Sequence, residues 1–332
     1  MFKNVVSYLT DAHHFVNVYT DLPDEIPLNY VRVKYLYCGI CGGDYSQFLG
    51  YRKKYPISLG HEFVAVVLDY NCNIPLTYDI GDFVVSDFNY RCMKCKYCSS
   101  GKSHLCEKND ISQFTNRAFS VYADIHYSYL VKTHIPREYI FRATCVEPLS
   151  CIIHAINHYD IAKINTVLLY GVGNIGMLCA FYLSCCLGKK VYIYDSNYKK
   201  KEQVMRLFSC EEMQSNISYD LIIEATNSPD GLLECIKNSY YNQEICSFSH
   251  LYGQDTSDIY ESFVKKESIV YFPLRNGSQN TLKIADNYIR DNWIADYDTL
   301  LQIYETNNIN IPFEEKATCK KPKQIISFTA GQ

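Results

Sequence analysis

Residues 166–176 read TVLLYGVGNIG: a short apolar run, Thr166–Tyr170, that ends on the turn Gly171-Val172-Gly173-Asn174-Ile175-Gly176. An unbroken run of this length predicts a short buried strand. Residues 177–183 then have helical character and 190–194 form a second apolar run. Strand, helix, strand is the unit of a parallel sheet. A G-x-G-x-x-G turn alone says little, because glycine-rich turns are common. Here it leaves a strand, opens a helix and is followed by Asp195 at the end of the next strand, and that context makes it a dinucleotide site. Gly171 permits the tight turn, Gly173 lets backbone amides approach a pyrophosphate, and Gly176 lets helix and strand pack closely. The helix N-terminus adds partial positive charge. Asp195 can accept hydrogen bonds from a ribose diol and repels a 2′-phosphate, which favours NAD over NADP. Lys199, Lys200 and Lys201 just beyond either offer charge to such a phosphate or form a solvated helix face.

Working outward, 150–159 has helical spacing, and strands are expected at 220–225, 244–249 and 268–272, so the alternation covers 148–275. Residues 1–147 differ. Short β-type runs at 31–37, 63–68 and 82–86, broken by turn residues, predict an antiparallel, barrel-like β domain. The tail carries helical stretches at 280–290 and 297–304 and a last strand at 324–328, and is expected to return to the first domain.

A chain of 332 residues with 48% hydrophobic and 20% charged residues is long enough for two cores. A net charge of −4 without a basic stripe argues against nucleic acid as a partner. No apolar run approaches a membrane span, and MFKNVVSYLTDAHH lacks the apolar region of a signal peptide, so a cytoplasmic protein is expected. In that compartment sixteen cysteines do not suggest a disulfide framework, and a tight cluster of them suggests a metal. One such cluster is RCMKCKYCSSGKSHLC at 91–106, with Cys92, Cys95, Cys98 and Cys106. A redox pair or an iron–sulfur nest would use the same residues. Four thiolates closing a tetrahedral zinc with no vacant position would make the stretch structural rather than reactive.

A second constellation is quieter. Cys41 lies in the glycine-flanked turn Cys38-Gly39-Ile40-Cys41-Gly42-Gly43-Asp44, and Gly60-His61-Glu62 precedes the run at 63–68. Buried cysteines usually act as small hydrophobes. Here, however, a Cys, a His and a carboxylate each sit at a strand end, and they are the ligand types of an open catalytic zinc site. Asp44 could hold a ligand in place from outside the metal's own shell.

With these motifs in order, the chain resembles the zinc-dependent medium-chain alcohol dehydrogenases, in the polyol branch with sorbitol and threonine dehydrogenases. The resemblance rests on Cys41-Gly42-Gly43-Asp44, on Gly60-His61-Glu62, on Glu147-Pro148-Leu149-Ser150 with His154-Ala155, on Gly171–Gly176 with Asp195, and on the four-cysteine lobe. It implies an α/β chain. A GroES-like β-rich catalytic domain would comprise 1–147 and 276–332, with a structural-zinc lobe at about 88–110, and a Rossmann doubly wound parallel sheet would comprise 148–275. It implies two zinc ions per chain: one structural, and one catalytic ion held by Cys41, His61 and either Glu62 or Glu147. Zinc would act as a Lewis acid while hydride passes between nicotinamide and a polyol, or its ketone. The substrate would be a sugar alcohol, phosphorylated or nucleotide-linked in some relatives, and homodimers or homotetramers are expected.

Two departures stand out. Gly43 occupies the place of the family's relay hydroxyl, so water or Glu62, Glu147, Ser46 or Tyr45 would have to serve. Tyr240-Tyr241-Asn242-Gln243 replaces a Pro-Gly-Gly turn. The weakened relay leaves an alternative, a dehydrogenase-fold protein that binds NAD(H) without turnover. Tyr51-Arg52-Lys53-Lys54 is either a phosphate contact or solvated surface. His13, His14, His104, His126, His134, His158 and His250 lack partners in the sequence and read as structural or surface residues.

Overall fold

The computed structural model describes residues 2–87, 91–108, 118–251 and 253–329, so 88–90 and 109–110 of the expected lobe lie outside the described residues. Six strands form one sheet in the order Glu211–Glu212, Lys190–Tyr194, Thr166–Tyr170, Leu221–Glu224, Glu244–Ser247, Ile269–Tyr271. Every pairing in it is parallel. The central strands are buried on both faces, which is why they read as continuous apolar runs rather than alternating ones. The glycine-rich turn opens the helix Asn174–Ala180, which runs on through the π-helical turn Phe181–Cys186.

The second sheet is built on Tyr30–Gly39, which pairs antiparallel with Glu62–Asn71 on one side and with Lys323–Ser327 and Tyr122–His126 elsewhere along its length. Phe83–Ser86 and Leu130–Lys132 extend it. Two register shifts against Glu62–Asn71 bend the central strand. A separate three-stranded sheet joins His14–Leu22, Phe2–Asp11 and Ile57–Ser58.

The expectation for 297–304 is corrected. A 3-10 helix, Ala295–Leu300, gives way to the strand Leu301–Glu305, which pairs in parallel with Lys323–Ser327. The short run could satisfy its backbone as a helix or as a strand, and the neighbouring terminal strand decides it. The same pair makes this sheet mixed rather than purely antiparallel.

One apolar cluster crosses from sheet to sheet. Val64, Val85, Val131 and Ile325 belong to it together with Leu149, Ile153, Val167, Leu169, Leu282 and Ile289. The helix Val146–Ile156 is its wedge, with every residue buried except Cys151 and His154. Continuous with the preceding 3-10 turns, Arg137–Ile156 is the one helix among the described residues long and apolar enough to cross a membrane, although no such run was expected. It lies 78% buried in the fold, with Arg142 paired to Asp298.

Candidate metal and nucleotide site

The register of two antiparallel strands assembles the first cluster. Gly39, near the end of one strand, lies opposite Glu62 at the start of the other. Two residues past Gly39, Cys41 caps the helix Gly42–Phe48, and its sulfur accepts a hydrogen bond from the Gly43 amide at 3.4 Å. A β-carbon on Gly39 would collide with the ends of Lys323 and Glu62. Gly60, at φ +93°, makes the left-handed turn that delivers His61, a conformation that favours glycine. One ligand atom each from Cys41, His61 and Glu62 therefore falls within 4.8 Å of the others.

Around this trio the charges are closely packed. Asp44 Oδ1 stands 3.7 Å from His61 Nδ1. Burial pushes the His61 imidazole down, but Asp44 and Cys41 outweigh it and raise the pKa to about 10. Glu62 accepts hydrogen bonds from the Lys323 ammonium and, at 3.1 Å, from Asn174 Nδ2. Glu147 lies outside the trio's 4.8 Å set but close enough to feel His61. Burial lifts its carboxyl to about 7, with His61 acting against the rise, and the Cys151 thiol donates to Oε1 at 3.5 Å. Lys316 donates to Gln324 Oε1 at 2.6 Å, and burial lowers its pKa to about 8. Lys323, Lys316 and Cys151 were missed in the sequence. The signal for Lys323 was a lysine opening the strand that carries the Ile325-Ile326 pair.

Of the residues proposed to replace the relay hydroxyl, Ser46 donates to Gly42 O at 3.0 Å and accepts from Asn227 Nδ2 at 3.3 Å. The Tyr45 ring stacks on Phe48. A β-carbon on Gly43 would meet nothing closer than Cys41 Sγ at 3.8 Å, so the space beside it is open. Arg52, Lys53 and Lys54 are exposed.

The four cysteines of the lobe also converge, with one sulfur each within 4.8 Å. Cys92 and Cys98 sulfurs are 4.0 Å apart, and those of Cys95 and Cys106 are 3.9 Å apart. That is far beyond a disulfide bond and close to the ~3.8 Å edge of a tetrahedron with ~2.3 Å metal–sulfur bonds. The Cys95 amide points at Cys92 Sγ and the Cys92 amide at Cys106 Sγ, both at 3.4 Å. Such amide donors favour thiolate, and backbone hydrogen bonds at Cys95 lower its pKa to about 6.

At the nucleotide turn, Gly171 takes φ +87° with the Ala225 backbone close against it. A β-carbon on Gly176 would collide with Gly171 O, whereas one on Gly173 would meet nothing within 4 Å. The turn is thus closed where helix meets strand and open where a pyrophosphate would approach. Asp195 Oδ2 accepts from the Val172 amide and Oδ1 from the Asn197 amide, both at 2.6 Å. Lys201 is paired with Glu212. Glu224, at the end of the neighbouring strand, is fully buried and accepts from Thr226, Ser247 and Ser249.

Comparison with known proteins bears on the domain and the fold. Residues 28–136 match the alcohol dehydrogenase GroES-like domain. A sorbitol dehydrogenase from Halalkalibacterium halodurans is 31% identical over 215 residues, 62% of this chain and 62% of that protein, so the chain spans about three fifths of the relative's length. Among solved structures, an alcohol dehydrogenase from E. coli CFT073 complexed with NADH aligns with TM-score 0.81 at 20% identity, covering 98% of this chain and 100% of that one. A zinc-binding dehydrogenase from Sinorhizobium meliloti 1021 bound to NADP aligns at 0.82 and 18% identity, with the same coverage. The chain thus carries an alcohol dehydrogenase GroES-like domain over residues 28–136 and shares the fold of these solved dehydrogenases.

Proposed function

We propose that the chain is a zinc-dependent polyol dehydrogenase that transfers hydride between a nicotinamide cofactor and a sugar alcohol or its ketone. The observation that carries this reading is the Asn174–Glu62 hydrogen bond, which joins the glycine-rich turn to the Cys41–His61–Glu62 cluster. Cys41 and His61 would hold the catalytic zinc, with Glu62 or Glu147 as third ligand and Asp44 orienting His61. The donor set fits an open zinc site, and the sulfur spacing of Cys92, Cys95, Cys98 and Cys106 fits a closed one. When bound, the catalytic ion would supply Lewis acidity at the reacting oxygen.

The chain's own groups do the rest. Gly171–Gly176 would cradle the pyrophosphate over the open face of Gly173. Asp195 would carry the preference for NAD. With Glu62 as the third ligand, Glu147 on the helix Val146–Ile156 would serve as an acid–base group, its carboxyl raised by burial. We also propose a cytoplasmic homodimer or homotetramer joined through the edge strand Ile269–Tyr271, beside which Phe272 is exposed.

The test is metal analysis of the purified chain followed by NADH absorbance at 340 nm with a panel of polyols and ketoses. Two zinc ions per chain with turnover are expected. One zinc ion, NADH binding and no turnover would instead support the non-turning alternative that Gly43 raises.

A further inference from the structure

Along the buried helix Val146–Ile156, the two residues that escape full burial are Cys151 and His154. With Glu147 they sit at i, i+4 and i+7, so they share one face. That stripe runs from the metal cluster outward for about 10 Å. At its far end His154 meets His104 of the cysteine lobe, with ring centroids 4.3 Å apart. His104 Nδ1 and His154 Nε2 are buried, and neither has a hydrogen-bond partner among the described residues. Orphaned buried polar atoms on two rings in contact call for a partner.

The surroundings decide its charge. Arg275 Nη1 donates to the His104 carbonyl at 2.6 Å, and Arg275, Lys102 and Arg91 all bear on the His104 imidazole. The nearby Asp87 carboxylate is already engaged by Arg91 and Asn276. Each imidazole can donate from a ring nitrogen, and Arg275 brings a fixed positive charge beside them. Such a cluster repels a cation and leaves an apolar group unbonded. The loop is built for this contact. Arg275 holds a left-handed φ of +63°, and Gly277 passes so close to the His154 ring that a β-carbon there would stand 2.6 Å from Nδ1. Left-handed backbone at a non-glycine residue is strain of the kind that gathers at binding sites.

We propose that His104, His154 and Arg275 form a subsite for the terminal phosphate of a phosphorylated polyol whose reacting carbon lies at the metal cluster; the inference rests on the polyol reading above. A separation of about 10 Å suits a five- or six-carbon chain ending in a phosphate. The exposed Arg52–Lys54 run is then solvated surface.

The test uses the zinc-loaded full chain with sorbitol and sorbitol 6-phosphate. The wild type should prefer the phosphorylated compound in kcat/KM. Arg275→Met should lower that preference about 10- to 100-fold, the scale of a lost charge-assisted hydrogen bond, with Arg275→Lys keeping most of it. His104→Asn, in the lobe, is the second variant and should lower it to a lesser extent. Equal losses for both substrates in Arg275→Met and His104→Asn would overturn the subsite. Calorimetric binding of sorbitol 6-phosphate and of inorganic phosphate is read in parallel. If neither polyol is oxidised, the polyol reading fails, and binding alone judges the subsite. Binding lost in Arg275→Met supports it, whereas binding that is absent, or unchanged by the substitution, overturns it.

Discussion

Lys323 and Glu62 are both essentially inaccessible to solvent, and their pairing is the most consequential single contact in the described chain. Two charges taken out of water each carry a penalty of several kcal/mol, which their mutual attraction offsets only while both are present. Lys323→Met would leave Glu62 with Asn174 alone. It is expected to lower unfolding stability in urea by about 3–5 kcal/mol, and adding Glu62→Gln should recover part of the loss. A single mutant as stable as the wild type would show that Asn174 alone suffices for Glu62. What the sequence could and could not say at this scale follows from distance along the chain. Cys41, His61, Glu62 and the glycines around them are local patterns whose strand register brings them together. Lys323 lies 261 residues from Glu62, and Asn174 lies 112. No periodicity links residues so far apart, so the carboxylate's partners became visible only in three dimensions.

Among the elements, the parallel strands were legible because burial on both faces leaves an unambiguous apolar run, and Thr166–Tyr170 and Lys190–Tyr194 fall where the sequence put them. Residues 297–304 were not, because their outcome depends on a partner. A clamp fixes the turn that precedes the new strand: Arg142 Nε and Nη2 donate to both carboxylate oxygens of Asp298, Arg142 Nη1 donates to Trp293 O, and Trp293 Nε1 donates to Asp298 Oδ1. Arg142 is nearly buried, so removing its counter-charge strands a guanidinium in the core. Asp298→Ala is expected to cost about 3 kcal/mol, seen as a fall in the thermal midpoint by circular dichroism. An unshifted midpoint would show that the Trp293 carbonyl alone suffices for Arg142.

At the scale of the molecule, each sheet has an apolar cluster of its own, and a third cluster is common to both. The apolar cluster holding Val64 and Ile325 of one sheet also holds Val167 and Leu169 of the other, with the helices Val146–Ile156 and Gln279–Asn292 between them. Asp286, on the second of these helices, accepts from Thr133 Oγ and the His134 amide and ties that helix to the strand Leu130–Lys132. A shared core of this kind makes the loss of one sheet expose apolar surface on the other, so the transition should be cooperative despite the two-part sequence. Trp293, the chain's one tryptophan, reports on the junction, because it is buried against Phe181 and Tyr297. Its fluorescence and the far-ultraviolet circular dichroism are expected to give one coincident urea transition in the metal-free chain. Two separated transitions, with Trp293 following only one, would mean that the sheets unfold independently and that the common core contributes little to holding the nucleotide turn against the metal cluster.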